Sequence, residues 1–217
     1  MKRFLPLLSF ALLISAVVSA QEEHGIRYGV TGGVNVSSYS MHASGMSLDA
    51  DSRVGFNVGF KVEMGAAFIL DGFYFDGSLL VSSKGAEFNT SVNDEAMKNI
   101  VRPYYLEIPL HIGYRHTVGQ SGNVSLFGTF GPYFAVGIGG KNKLESGNTT
   151  EKYDTFGSKG GLNRFDFGLG IRGGVQLYDH YQIFLGYDWG LIDIAKSNDA
   201  GYKLNTRNFY VGVAYMF

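Results

Sequence analysis

The chain of 217 residues contains 31 glycines, 17 phenylalanines, 14 tyrosines, four prolines and no cysteine. Without cysteine it has neither a disulfide framework nor the thiol of a lipoprotein anchor. Its 18 basic and 19 acidic residues give no electrostatic case for binding nucleic acid, and the length fits one domain.

The chain opens with Lys2 and Arg3, then an apolar run, then the small residues Val18-Ser19-Ala20. This pattern predicts a secretory signal peptide over 1–20, cleaved before the polar Gln21-Glu22-Glu23-His24. Cleavage leaves residues 21–217 as a single barrel domain with 16 basic against 19 acidic residues, a charge of about −3. No later apolar run approaches the roughly 20 residues of a spanning helix. Any membrane crossing is therefore made by strands.

Residues 26–36 form the first predicted strand, with Tyr28, Val30 and Val34 on one face and Arg27, Thr31 and Asn35 on the other. A polar loop over 37–52 leads to the clearest strand, 53–65. Its even positions (Val54, Phe56, Val58, Phe60, Val62, Met64) are all apolar, and its odd positions are polar or glycine. Side chains alternate between the faces of a strand, so this one has a lipid-compatible side and a wet side. A short turn over 67–72 precedes strand 73–83, where Leu80 breaks the alternation. After a polar loop over 85–102 come strand 104–115, a tight connection over 117–122, and strand 124–138. The longest loop, 139–162, is followed by strand 164–177, a turn at 178–180 and strand 181–191. A loop over 193–204 precedes the last strand, 205–217.

Eight strands with alternating long and short connections predict an all-β, eight-stranded antiparallel up-and-down transmembrane β-barrel in the outer membrane of a Gram-negative bacterium. Closure removes the sheet edges that lipid would otherwise leave unpaired. Aromatics gather at both strand ends: Phe73, Tyr114, Tyr181 and Tyr215 at the inner rim, Tyr104, Phe165, Trp189 and Phe209 at the outer. Pro109 and Pro132 fall inside strands and are read as bulges or ends of pairing, because proline has no N–H for the ladder.

The run F-Y-F-D-G-S-L-L-V-S-S-K-G-A over 73–86 resembles the porin-like outer-membrane β-barrel family of Bacteroides-type bacteria. Y-L-E-I-P-L over 105–110, whose proline that family shares, G-P-Y over 131–133 and the terminal Phe217 are similar to it as well. The resemblance spans essentially the whole mature chain. It implies an outer-membrane location and no catalytic residue. It also implies that the barrel-assembly machinery recognises the C-terminal strand through Tyr215 and Phe217.

The wet faces hold Arg27, Arg53, Lys61, Arg115, Arg164 and Arg172 against Glu63, Asp76, Glu107, Asp166 and Asp188. Charges sealed in a narrow interior must pair, and eight strands leave space that side chains can fill. The expectation is a plugged lumen, with Lys61 and Asp76 paired across neighbouring strands. Scattered charges lining a continuous channel are the alternative. The five histidines (His24, His42, His111, His116, His180) show no metal-ligand spacing, so no metal or other cofactor is expected. His111 reads as a hydrogen-bonded filler beside Glu107. The glycines of 29–33 and 168–174 lie within strands and lack the strand-to-helix context of a phosphate loop.

Four readings follow. The first is a monomeric, non-enzymatic structural or surface-interaction protein, embedded in outer-membrane lipid and acting through its external loops, whose partner the sequence does not name. The second is a small pore. The third is a rim-site lipid enzyme built on His42 near Ser40 and Ser44. The fourth is a soluble barrel carrier.

Overall fold

A computed structural model describes residues 25–43, 46–92, 95–119, 122–146, 149–157, 161–196 and 202–217. The predicted signal peptide, His24 and Ser44 lie outside the described residues, as does the side chain of His42. In chain order the strands are β1 (Ile26–Ala43), β2 (Met46–Asp49), β3 (Asp51–Gly65), β4 (Phe73–Ser83), β5 (Ala86–Val92) and β6 (Glu95–Val101). Then follow β7 (Pro103–Val118), β8 (Val124–Ser146), β9 (Thr149–Asp154), β10 (Phe165–Leu177), β11 (Tyr181–Gly190) and β12 (Tyr202–Met216).

Eight of these close a ring of antiparallel neighbours: β1, β3, β4, β7, β8, β10, β11 and β12. The ring is sealed by β1 against β12, in register from Gly29↔Met216 to Ala43↔Tyr202. Alternation dictates the faces. Val54, Phe56, Val58, Phe60, Val62 and Met64 point out and are exposed, whereas Asn57, Lys61 and Glu63 of the same strand are buried. An apolar band this extensive on a water-facing surface would drive association; against lipid it is the favourable surface. Aromatic pairs mark its two ends. Phe73–Tyr114 and Tyr181–Tyr215 sit beside the short turns, and Phe56–Tyr104 and Tyr187–Trp189 lie towards the long connections.

The tight turn after β10 uses Tyr178 (φ 49°) and Asp179 (φ 59°), with the His180 N–H donating to the Leu177 carbonyl at 3.1 Å. Two successive left-handed residues match the twist of a two-residue hairpin. Pro109 and Pro132 lie inside continuous strands and do not end them. Each leaves a local gap in one ladder: β4–β7 pairing skips from Gly77↔Leu110 to Leu80↔Glu107, and β7–β8 pairing skips from Pro109↔Tyr133 to Ile112↔Phe130. The one register shift of β7–β8 falls elsewhere, between Tyr104 and Tyr105.

Three of the four segments expected as long polar loops are largely strand. β1 continues to Ala43 and folds back on β2. β5 and β6 form a hairpin that joins the ends of β3 and β8, and β9 pairs the end of β8. The reason is physical: beyond the membrane the outward face meets water, so pairing continues there without the apolar alternation that reveals it within the lipid band.

Candidate functional site

The interior of the barrel carries the chemistry, and its inner half is organised by strand register. Glu63 of β3 lies directly opposite Arg27 of β1 on one side and Asp76 of β4 on the other. Two carboxylates facing each other without water require cations between them. Lys61 supplies one, with Nζ 2.5 Å from Asp76 Oδ2 and 3.3 Å from Glu63 Oε1. Arg172 of β10 reaches Asp76 Oδ1 at 3.3 Å, and Arg115 of β7 reaches Glu63 Oε2 at 2.6 Å. Gln182 donates to Glu63 Oε1 at 2.8 Å. The aromatic faces of Phe127, Tyr74 and Phe184 back Lys61, Arg115 and Arg172 respectively, each within cation–π range.

The outer half is built differently. Lys84 is wholly buried, its Nζ 2.6 Å from Glu107 Oε2 and 4.7 Å from the centre of the Tyr133 ring. Strand 73–83 was drawn with the bounds that β4 has, and Lys84, the residue just past its end, was left out of the inward set. The signal was available, because Lys84 continues the even-numbered inward positions Asp76, Ser78, Leu80 and Ser82. Asp166 accepts from the Tyr133 hydroxyl at 3.3 Å and Asp188 from the Asn208 amide at 2.9 Å; neither forms a direct ion pair among the described residues. Arg53 donates to the Lys84 carbonyl at 3.0 Å, and Arg164 donates to the Gly137 carbonyl at 2.6 Å while lying over the Phe156 ring. Both arginines satisfy backbone carbonyls at the outer mouth, where carboxylate partners were expected. His111 also departs from expectation: its Nδ1 lies 3.0 Å from Thr129 Oγ1, and Glu107 is engaged by Lys84.

Above these groups sits an apolar cluster of which strand periodicity announced only the inward Tyr105. Tyr39, Tyr105, Tyr133, Phe156, Leu162 and Ile194 form its centre. Residues 161–163 and 191–196 fold over the mouth, joined by the Leu162↔Ala195 bridge and by the Asn163 N–H donating to the Ile194 carbonyl at 2.8 Å, while the Ile194 N–H donates to the Leu204 carbonyl of β12 at 2.9 Å. Asp193 Oδ1 accepts from the N–H groups of both Ala195 and Leu204, which fixes the bend. Between the two halves, Thr31, Asn57, Glu107, Asp188 and Asn208 line a cavity of about 20 Å³. That is room for about one water molecule.

At the seam of closure, Tyr215 points outward against Tyr181 and Phe217. The Phe217 N–H donates to the Tyr28 carbonyl at 2.7 Å.

A closed eight-stranded ring with an exposed apolar band and a charged, buried interior defines an integral outer-membrane β-barrel. The chain belongs to the family described as outer membrane protein beta-barrel domain, which it matches over residues 19–196, and the protein resides in the outer membrane. Comparison with curated protein sequences finds no match. Similar solved structures include Ail, the attachment invasion locus protein of Yersinia pestis, at 18% identity and a TM-score of 0.40, covering 88% of this chain and 99% of that one. OprG of Pseudomonas aeruginosa is 13% identical with a TM-score of 0.43, covering 88% and 95%. Neisserial surface protein A is 12% identical with a TM-score of 0.38, covering 87% and 97%.

Proposed function

We propose that this outer-membrane barrel is a non-enzymatic, monomeric protein with a closed lumen, acting at the cell surface through its outer hairpins. The observation that supports this reading is that two independent sets of side chains gather in the interior, one in each half. Arg27, Lys61, Glu63, Asp76, Arg115 and Arg172 line the inner half, and the apolar cluster around Tyr105, Tyr133 and Phe156 caps the outer half. A conducting pore needs a continuous wet path, and the cavity found between these sets, of about 20 Å³, has room for about one water molecule. The partner of the hairpins is left unassigned. Within the same reading, Tyr215 and Phe217 form the signal for the assembly machinery, and the run over 73–86 points to the porin-like, Bacteroides-type branch of the family.

Planar-bilayer recording of the refolded mature protein tests the reading. The expected result is silence across physiological voltages. Stepwise conductance would overturn it and make the protein a small channel. Lipid mass spectrometry of cells carrying His42→Ala tests the non-enzymatic part, with no change in lipid composition expected.

A further inference from the structure

The short-turn end of the barrel holds a cavity of about 230 Å³ lined by Gly25, Arg27, Glu63, Tyr74, Arg115 and Thr117, among others. Short turns of outer-membrane barrels face the periplasm, so this cavity opens there. Its hydrogen-bonding groups are unbalanced. Glu63 is saturated: Oε2 accepts from Arg115 at 2.6 Å and, at a long 3.5 Å, from Arg27, while Oε1 accepts from Gln182 at 2.8 Å and faces Lys61 at 3.3 Å. A carboxylate offers about four acceptor sites, so none remains for the cavity.

The two guanidinium groups, by contrast, have donors to spare. Each carries five N–H groups and no acceptor. Arg115 Nε is buried and has no hydrogen-bond partner among the described residues. Arg27 is about a quarter exposed, and its contacts to Glu63 and Gln176, at 3.5 and 3.4 Å, are too long to be strong. Its firm contact is with the Asp179 main-chain carbonyl, while the Asp179 carboxylate is held by Gln176 Nε2 at 3.1 Å. The Arg27 fork, with unused donors, and the Arg115 guanidinium, whose buried Nε has no partner, therefore line one solvent-open cavity whose only lining carboxylate among the described residues is already spent.

We propose that the periplasmic mouth is a binding site for a small oxyanion, a carboxylate or phosphate group, held between Arg27 and Arg115. Guanidinium geometry suits both groups, because paired N–H donors match paired oxygens. The site does not depend on whether the lumen conducts, since Arg27 and Arg115 border the mouth in either case.

The test follows the arginine Nε–Hε resonances of the ¹⁵N-labelled, refolded mature protein in micelles. Inorganic phosphate and acetate are titrated separately at constant ionic strength against chloride. A saturable shift of the Arg115 signal with either anion supports the site, and the anion that saturates assigns the source. A shift that grows linearly, or that chloride reproduces, overturns it. Arg27→Gln should weaken binding about tenfold, the effect of losing one charged hydrogen bond. Arg164→Gln at the opposite mouth should leave it unchanged. Unaltered affinity in Arg27→Gln would overturn the proposal, and Arg27→Lys, which keeps the charge and loses the fork, serves if the glutamine variant fails to fold.

Discussion

The two halves of the lumen solve one problem with opposite chemistry. The inner half is lined with charge, and each cation is fixed by strand register against a carboxylate on a neighbouring or facing strand. The outer half gathers chiefly tyrosine, phenylalanine and aliphatic side chains, brought together where the hairpins bend over the mouth. A narrow barrel within lipid cannot bend inward, so it depends on side chains that already point into it. Beyond the lipid the same chain is free to fold back on itself and build an ordinary apolar core.

If that contrast is right, the largest single effect should come from breaking the inner network. Asp76→Ala would leave Lys61 and Arg172 buried beside fewer carboxylates and should cost about 3–5 kcal/mol of unfolding free energy in micelles. Replacing Lys61 and Asp76 together by apolar residues of similar volume should restore most of it, because no charge of that pair is stranded. A double variant as unstable as the single one would show that the pair is not the unit holding this region.

Truncating the outer apolar cluster should act locally. The Phe156 ring packs edge-on to Tyr105 at 5.7 Å and sits where a side chain at Gly137 would stand. Phe156→Ala should loosen the hairpins by about 3 kcal/mol, in the range of aromatic truncations, and expose them to protease while the membrane-embedded ring keeps its melting temperature. A parallel fall in the melting temperature would mean the cluster and the ring unfold as one unit.

A third effect separates inside from outside within one hairpin. At Gly59, an inward position, an added Cβ would lie 1.9 Å from the Leu79 carbonyl oxygen; at the lipid-facing Gly77 its nearest neighbour would be Leu110 Cδ2 at 3.6 Å. Gly59→Ala should destabilise by about 1–3 kcal/mol, as overpacking does, and Gly77→Ala should be nearly neutral. Equal effects would mean that the close approach of the β4 backbone at Gly59 does not set the limit.

The same contrast explains what the sequence could disclose. Within the lipid band, alternation is enforced by two solvents of opposite character. The parity of Lys61, Asp76, Glu107 and Arg172 therefore fixed their direction, and strand count and closure followed. Parity says nothing about which of several inward charges meet. Asp166 and Asp188 are held by Tyr133 and Asn208, while Lys84, just past the end of β4, engages Glu107. The apolar cluster was largely invisible for a different reason. Tyr39, Phe156 and Ile194 stand far apart in segments that read as polar loops, and only the tertiary fold gathers them.

The smallest expected effect is also the sharpest comparison. Lys98 Nζ and Glu87 Oε2 on the outer hairpin lie 2.6 Å apart, the same separation as Lys84 and Glu107 inside the barrel. Distance alone would rank the two pairs as equals. Their surroundings differ: the outer pair is 40% and 26% exposed, the inner one 0% and 6%. Water and salt screen the first, and each of its partners is readily rehydrated when the other is removed. The second has no water to fall back on. Lys98→Ala should therefore leave the thermal unfolding of the refolded protein unchanged at any ionic strength, whereas Lys84→Ala should destabilise it clearly. A measurable loss in Lys98→Ala would mean that surface charge, and not the apolar cluster beneath, holds the outer hairpins in place.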